Sequence, residues 1–197
     1  MRADRASCPQ CMQVNDHGHD DDCSDRAHHR TVRHNIVKGI LVSALRRVKG
    51  TQVVVEPLLE ANSHRRTDWR VHGTAAEDGS SNTDYDITFI STTNLTARRA
   101  PDRAQHEQQI ALDGMRKAAT NRLQAYLDAK AKTKIDFYAG ATPTALIPLV
   151  FSFSGAEHPA VTKTFKHWRS IMPSFSYVTS CISVVLARTR AETFHLV

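Results

Sequence analysis

The sequence predicts an α/β sandwich, in which helices cover a small mixed β-sheet. Two observations lead to this prediction. Apolar residues recur at three- and four-residue steps in several segments, as they do on the buried face of a helix, and short runs rich in β-branched residues separate these segments. In chain order the segments are a helix, three strands, a long helix, a strand and two helices, and this mixing of helices with strands favours a layered α/β domain.

The first half of this order begins with an apolar stripe that predicts a helix with arginines on its other side. The stripe consists of Val32, Ile36, Val37, Ile40, Leu41, Ala44, Leu45 and Val48. Gly50 follows at the position of a left-handed C-terminal cap. The run QVVVEP then predicts a strand that Pro57 closes, a second strand is expected from Thr67 to His72, and the polar stretch from Gly73 to Thr83 predicts a loop.

The second half begins with YDITFIS, the clearest strand pattern in the chain, and continues through an exposed connection, STTNLTARRAPD. A long helix is expected from about Ala104 to Phe137, because this stretch is rich in helix-forming residues and ends before Gly140. ALIPLVFSF predicts a buried strand. Two further helices are expected, from Pro159 to Ser170 and from Phe175 to Thr193.

Composition and charge narrow the class of protein. Hydrophobic residues make up 41% of the chain and charged residues 23%, which is typical of a soluble globular domain. The sequence has no apolar run of the roughly 18 residues needed to cross a bilayer, and its start lacks the apolar stretch of a secretory signal, so we expect no membrane association and a reducing compartment. The net charge is +6, and from Arg26 to Arg70 ten basic residues outnumber three acidic ones, which favours a polyanionic partner.

The N-terminal segment carries a cluster of metal-binding residue types. The spacing C-x2-C-x7-H-x3-C is formed by Cys8, Cys11, His19 and Cys23. Three thiolates and an imidazole suit a closed tetrahedral Zn²⁺ site, and metal would have to stabilise a segment with so few large apolar residues. We predict a zinc knuckle over residues 1–29 and a second domain over residues 30–197. His17, His28 or His29 remain alternatives to His19, and a disordered leader rich in Asp and His remains the alternative to a knuckle.

Acidic residues near the starts of two predicted strands form a second candidate site. Asp68 begins the second strand, and Asp84 and Asp86 lie in or next to the third, where strand alternation puts both on one face. Carboxylates on adjacent strands can share Mg²⁺, which takes a few carboxylate oxygens and leaves room for water and a phosphate. Such a site suits phosphodiester hydrolysis.

Lysines of the long helix and one further acid are candidates to complete this site. Lys130 and Lys134 lie one helical turn apart, so both could point towards the carboxylates and steady a nucleophile or a phosphate. Glu56 is either a metal-proximal carboxylate or only a charge at a sheet edge.

The order of these motifs resembles that of a known family. The motifs are Cys8-x2-Cys11, Gly18-His19-x3-Cys23, Arg33-His34-Asn35, VVVEP, Arg66-Thr67-Asp68, Asp84-Tyr85-Asp86, Lys134-x3-Tyr138 and IPLVFSFSG. From Cys8 to about Arg190 the chain resembles the restriction-like endonuclease domain at the C-terminus of site-specific LINE-type retrotransposon proteins, a branch of the PD-(D/E)xK nuclease superfamily. The resemblance implies a restriction-endonuclease-like α/β sandwich with a small mixed sheet, preceded by the zinc knuckle.

Residue by residue, the resemblance implies a catalytic set. Asp68 matches the Asp of the family's R/K-P-D motif, with Thr67 in place of the proline. Asp86 matches the acid of the following strand, and Lys134 matches the lysine of the helical K-x3-Y motif. Asp68 and Asp86 would bind Mg²⁺, and Glu56 would assist. Asp84 remains an alternative to Asp86, and Lys130 or Lys132 an alternative to Lys134.

The function implied by the resemblance is a Mg²⁺-dependent DNA endonuclease of retrotransposon origin, which nicks target DNA so that the exposed 3′ hydroxyl primes reverse transcription. DNA would be held by the knuckle and by Arg30, Arg33, His34 and Arg66. Element RNA and a reverse transcriptase domain are further expected partners, and the nucleus is the expected location. The alternative is a zinc-containing nucleic-acid-binding module from the same kind of element whose nuclease centre has decayed.

Overall fold

A computed structural model describes residues 27–59, 65–77, 81–91, 112–142, 144–153 and 155–193, with the backbone alone for residues 27–29, 112–119 and 190–193. The predicted α/β architecture with a small mixed sheet is confirmed, and the order of its elements is as predicted. In chain order they are α1 (Ala27–Leu45), β1 (Thr51–Val55), β2 (Trp69–Gly73), β3 (Asn82–Ile90), α2 (Leu112–Tyr138), β4 (Ala145–Ser152), α3 (Pro159–Ile171) and α4 (Phe175–Thr193).

The four strands form one open sheet in the order β1-β2-β3-β4. β1 pairs antiparallel with β2, and β2 pairs antiparallel with β3, with Trp69 opposite Tyr85. β3 and β4 are parallel, with Asp86 opposite Pro148, and α2 lies between them in the chain. A parallel pair needs such a crossover connection, because the chain must return to the same end of the sheet.

One face of the sheet carries the main hydrophobic core. Side chains of α1, α3 and α4 pack there against Trp69, Tyr85 and Leu149, all of which are fully buried. The rings of Trp69 and Tyr85 stack with centroids 5.5 Å apart, and the Trp168 indole lies 5.2 Å from Tyr85 and donates a hydrogen bond to the Ala75 carbonyl. Burial of these large aromatic side chains stabilises this half of the molecule most.

The opposite face of the sheet is covered in part by α2. Tyr126, Leu127 and Ala131 of this helix form a smaller cluster with Ile90 of β3 and Val150 of β4. Because side chains alternate along a strand, the even-numbered residues of β3 that precede Ile90 also face this side, and two of them are aspartates. The sheet face under α2 is therefore apolar at one end and acidic at the other.

The bounds of several elements differ from the predicted ones. The second strand begins at Trp69 and not at Thr67, and the Asp68 amide just before it donates a hydrogen bond to the Tyr85 carbonyl. The first helix ends at Leu45, and turns then lead to Gly50, which adopts the predicted left-handed conformation with φ 76°. The predicted knuckle, residues 1–29, and the predicted start of the long helix, residues 104–111, lie outside the described side chains.

Candidate functional site

Asp86 is the centre of a cluster of polar side chains on the face of the sheet under α2. It lies in the middle of β3 and is 4% exposed. Tyr138 donates a hydrogen bond from its hydroxyl to Asp86 Oδ2 at 2.7 Å, and Lys134 Nζ lies 2.8 Å from Oδ1. Lys134 and Tyr138 are one helical turn apart, which is why one helix brings both to the same carboxylate.

The two oxygens of this carboxylate differ in their surroundings. Oδ2 accepts the tyrosine hydrogen bond, whereas Oδ1 is buried and receives no well-oriented hydrogen bond from the part of the chain that the structure describes. Lys134 is within ion-pair distance of Oδ1 but not in line for a hydrogen bond. The Lys134 ammonium neutralises this oxygen, so a metal ion at Oδ1 would have to share it with the lysine.

Asp68 lies beside this cluster, just before β2. Its amide donates to the Tyr85 carbonyl at 3.0 Å, which ties its backbone to β3. Its Oδ2 accepts a 2.6 Å hydrogen bond from the Ile87 amide and lies 3.0 Å from His34 Nε2 of α1. The contact with Asp68 raises the pKa of His34, because the carboxylate favours the imidazolium more than burial disfavours it.

Tyr138 joins the segments that carry the two aspartates. Its hydroxyl lies 2.7 Å from Asp86 Oδ2 and also 2.7 Å from the Arg66 carbonyl, two residues before Asp68. Burial raises the pKa of Tyr138, and the hydrogen bond to Asp86 raises it further. The phenol is thus a neutral hydrogen-bond donor that holds Asp86 in one orientation.

Asp84 is committed to a separate interaction. It is fully buried and is bound by Arg70 through two hydrogen bonds of 2.8 Å, one to each carboxylate oxygen. Thr144 donates a third hydrogen bond, 2.5 Å long, to Oδ2. The pairing with Asp84 raises the pKa of Arg70. Of the two acids left open by the sequence, Asp86 is the one next to a helix lysine and Asp84 is the one neutralised by an arginine.

Among the three lysines considered for the site, Lys134 is the one that contacts Asp86. Lys132 is on the exposed side of α2 and pairs with Asp136 at 3.1 Å. Lys130 lies over the Tyr126 ring, 5.4 Å from its centroid.

Glu56 lies at the edge of the site and not in the cluster around Asp86. Its carboxylate is half exposed and binds Lys38 at 2.7 Å, with Arg66 Nη1 3.9 Å away. The Lys38 hydrogen bond lowers the pKa of Glu56. The Glu56 amide donates to the Asp68 carbonyl, and its φ of 49° is in the left-handed region that side chains rarely adopt.

The four residues predicted to contact DNA occupy different environments. Arg33 is 2% exposed; its Nε donates to Thr189 Oγ1 at 2.9 Å and its guanidinium lies 4.0 Å over the Phe153 ring. These contacts join α1 to segments that are distant in the chain. His34 is bound to Asp68, Arg66 is half exposed beside Glu56, and Arg30 lines a cavity near the end of β3.

Sequence reasoning assigned no role to Tyr138 or Lys38 and did not foresee the contact between His34 and Asp68. The signal for Tyr138 was present, since it is four residues from Lys134 and so shares its helix face. The other two contacts join residues far apart in the chain, and no local pattern indicates them. The predicted zinc ligands Cys8, Cys11, His19 and Cys23 lie outside the described residues.

The described residues contain no group of three or more His, Cys, Asp or Glu side chains placed to hold a metal ion. Within the same residues, no helix is both long and apolar enough to cross a membrane. No family model matches this chain, and no curated protein matches it significantly.

Proposed function

We propose that this chain is a Mg²⁺-dependent DNA endonuclease domain of the restriction-like type, derived from a site-specific LINE-type retrotransposon. The observation that carries the proposal is the meeting of Lys134 with Asp86 at 2.8 Å, on a sheet face that Asp68 adjoins. An acid in β3, a second acid just before β2 and an amine from α2 suit metal-assisted phosphodiester cleavage, in which a metal ion activates water and neutralises developing charge.

The donor set fits Mg²⁺ better than a metal with an all-protein cage. Mg²⁺ is usually bound through one or two carboxylates and keeps several of its waters, so a third acidic ligand is not needed. Asp86 Oδ1 is buried without a well-oriented donor among the described residues, and both described hydrogen bonds to the Asp68 carboxylate end on Oδ2. Each acid thus has an oxygen that could take part.

The residues of the chain would then act as follows. Asp68 and Asp86 would hold Mg²⁺, which supplies charge neutralisation at the scissile phosphate and lowers the pKa of water. Lys134 would orient the attacking water or hold a phosphate oxygen, since its side chain is 32% exposed and its ammonium lies against Asp86. Tyr138 and His34 would keep the two carboxylates in place, and Glu56 would act only at the edge.

The proposal also covers the role of the nick in reverse transcription and the role of the N-terminal segment in DNA binding. The nick would expose a 3′ hydroxyl that primes reverse transcription by another domain on element RNA, in the nucleus. The segment of residues 1–29, with Zn²⁺ on its cysteines and His19, would add to the grip on DNA together with Arg30 and Arg66.

Relaxation of supercoiled plasmid tests the proposal. The parent chain should nick plasmid with Mg²⁺ and not without it, and Asp86→Asn should lower the rate at least about 100-fold while thermal unfolding changes little. Asp136→Asn is the matched control, because Asp136 is an exposed aspartate of α2 that pairs with Lys132, away from Asp86. If Asp86→Asn nicks plasmid as fast as the parent and Asp136→Asn, the proposal is wrong.

One observation favours the second candidate, a DNA-binding module whose nuclease centre has decayed. Asp68 already accepts hydrogen bonds from His34 and from the Ile87 amide, and Lys134 already neutralises Asp86. A site whose charges are satisfied by the protein itself can persist for structural reasons. This candidate predicts salt-dependent DNA binding by the parent chain with no Mg²⁺-stimulated nicking.

A further inference from the structure

A small cavity lies at the carboxyl end of β3, where residues from both faces of the sheet meet. Its volume is about 170 Å³, and its polar and charged lining comes from three elements: Arg30 of α1, Thr88 of β3 and Lys130 of α2, with Ser91 just after β3. Phe153 and Tyr126 form apolar walls. None of its lining residues is acidic.

The chemistry of this lining suits a small anion. Arg30 and Lys130 form no ion pair with an Asp or Glu among the described residues. Thr88 Oγ1 is buried and has no hydrogen-bond partner among the described residues. Leaving a buried hydroxyl without a partner costs stability, so a bound acceptor would satisfy it. A guanidinium, an ammonium and a hydroxyl together match a phosphate.

The position of the cavity relative to Asp86 and Lys134 is set by the regular repeats of two elements. Thr88 is two residues beyond Asp86 on one face of β3, a separation of about 6.6 Å. Lys130 is one helical turn before Lys134 on α2, a separation of about 6 Å along the axis. Thr88 and Lys130, which line the same cavity, are therefore displaced by similar distances from Asp86 and Lys134. This displacement is comparable to the distance between successive phosphates of one DNA strand.

We propose that the cavity of Arg30, Thr88 and Lys130 binds the DNA phosphate next to the one that is cut. This inference rests on the proposed nuclease function, and it gives Arg30 and Lys130 positioning roles. By holding the neighbouring phosphate, the cavity would set which phosphodiester lies against Asp86 and Lys134.

The salt dependence of DNA binding tests the inference separately from cleavage. Binding of a fluorescent duplex is measured without Mg²⁺ over a range of salt concentrations, so the result does not depend on catalysis. The double variant Arg30→Gln/Lys130→Gln should bind more weakly, and its slope of log affinity against log salt should fall by about 1, the contribution of one phosphate contact. Lys132→Gln/Arg169→Gln removes the same charge from exposed positions and should keep the parent slope.

Thr88→Val separates a ligand contact from a structural role. Since the hydroxyl is buried without a described partner, the valine variant should unfold at the same or a higher temperature, yet bind DNA about fivefold to tenfold more weakly. The inference is overturned if Thr88→Val binds like the parent, or if the two double variants change the slope equally. The two proposals can also fail separately. If Asp86→Asn loses plasmid nicking but Arg30→Gln/Lys130→Gln keeps the parent salt slope, the nuclease function is supported and the phosphate site is ruled out.

Discussion

Asp84 and Asp86 show how two identical side chains on one strand face acquire different roles from their neighbours. Asp84 is opposite Arg70 of β2, whose guanidinium binds both of its oxygens. Asp86 is opposite Pro148 of β4, whose side chain has no hydrogen-bond donor. Its contacts come instead from Lys134 and Tyr138 of α2. The arginine donates a hydrogen bond to both oxygens of Asp84, whereas the lysine ammonium approaches only one oxygen of Asp86.

Replacing Asp84 should therefore affect folding first. Asp84→Ala leaves the Arg70 guanidinium without its partner and should lower the free energy of unfolding by about 3 kcal/mol, as when a buried ion pair loses one member. Chemical denaturation measures this. Asp86→Asn should change that free energy much less, because its amide keeps the shape of the side chain. Equal destabilisation by the two substitutions would contradict the distinction between a structural and a functional acid.

The hydroxyl of Tyr138 should matter to both folding and cleavage. Tyr138→Phe removes the group that lies 2.7 Å from Asp86 and from the Arg66 carbonyl, and should cost about 1–3 kcal/mol of unfolding free energy. Nicking should slow about 10-fold or more, since Asp86 would no longer be held in one orientation. Tyr177→Phe, the same change at a tyrosine that is 74% exposed, is the control and should leave both quantities as in the parent. Plasmid nicking rates and chemical denaturation curves of the two variants measure these quantities. Equal effects of Tyr138→Phe and Tyr177→Phe would contradict the prediction.

At the scale of elements, the side of α2 that faces the sheet is apolar along one part of the helix and polar along the other. Tyr126, Leu127 and Ala131 pack on the sheet, and Lys134 and Tyr138 continue the same side of the helix beyond the apolar cluster to reach Asp86. One continuous helix thus anchors itself at one end of the sheet face and presents polar groups at the other. The helical repeat excludes Lys132, which is not on the face shared by Lys130 and Lys134. The position of α2 on the sheet then brings Lys134 to Asp86 and leaves Lys130 over the Tyr126 ring.

Substitution of single lysines of α2 tests whether only the lysine that contacts Asp86 takes part in cleavage. Lys134→Gln should reduce Mg²⁺-dependent nicking at least about 100-fold, because it removes the amine that faces the Asp86 carboxylate. Lys132→Gln, two residues away on the exposed side, should nick at the parent rate. Thermal unfolding of both variants should show that neither loses its fold. Similar activity in the two variants would mean that Lys134 pairs with Asp86 for stability alone.

At the scale of the whole molecule, the core and the candidate site occupy opposite faces of one sheet. The main core is built from residues between Val37 and Leu186, with the aromatic stack around Trp168 at its centre. On the side that carries Asp68 and Asp86, the Asp86 carboxylate is buried, whereas the side chains of His34 and Lys134 that contact the two acids are partly exposed. This separation lets residues of the site be changed at small cost to the core.

The predicted zinc site should be independent of this core. The purified chain should contain about one Zn²⁺, and Cys8→Ser/Cys11→Ser should contain none, because a structural zinc site needs four ligands. Cys181→Ser is the control and should keep its zinc, since Cys181 is a residue of α4 and far from the cluster in the chain. Mass spectrometry measures the metal content. The core should unfold at the same temperature in all three proteins, and a parent chain without zinc would favour the disordered leader.

Local sequence patterns were enough to predict the helices and strands. Hydrophobic periodicity, and glycine or proline at the ends of helices and strands, are properties of short segments. The α/β class, the order of eight elements and the last helix, Phe175–Thr193, followed from them. The same patterns could not indicate the surroundings of Arg33. A row of arginines opposite an apolar stripe gives no sign that Thr189 and Phe153, from distant segments, contact one of them.

The sequence by itself determined which residue types were at hand: two aspartates on one strand face, a third before the neighbouring strand, and lysines at helical spacing. Only the tertiary structure decided their partners, placing Arg70 on Asp84, and Lys134 with Tyr138 on Asp86. The physical reason is that a strand or helix pattern depends on neighbours a few residues apart. The surroundings of a buried carboxylate depend instead on which distant elements the sheet order and the crossover helix bring against it.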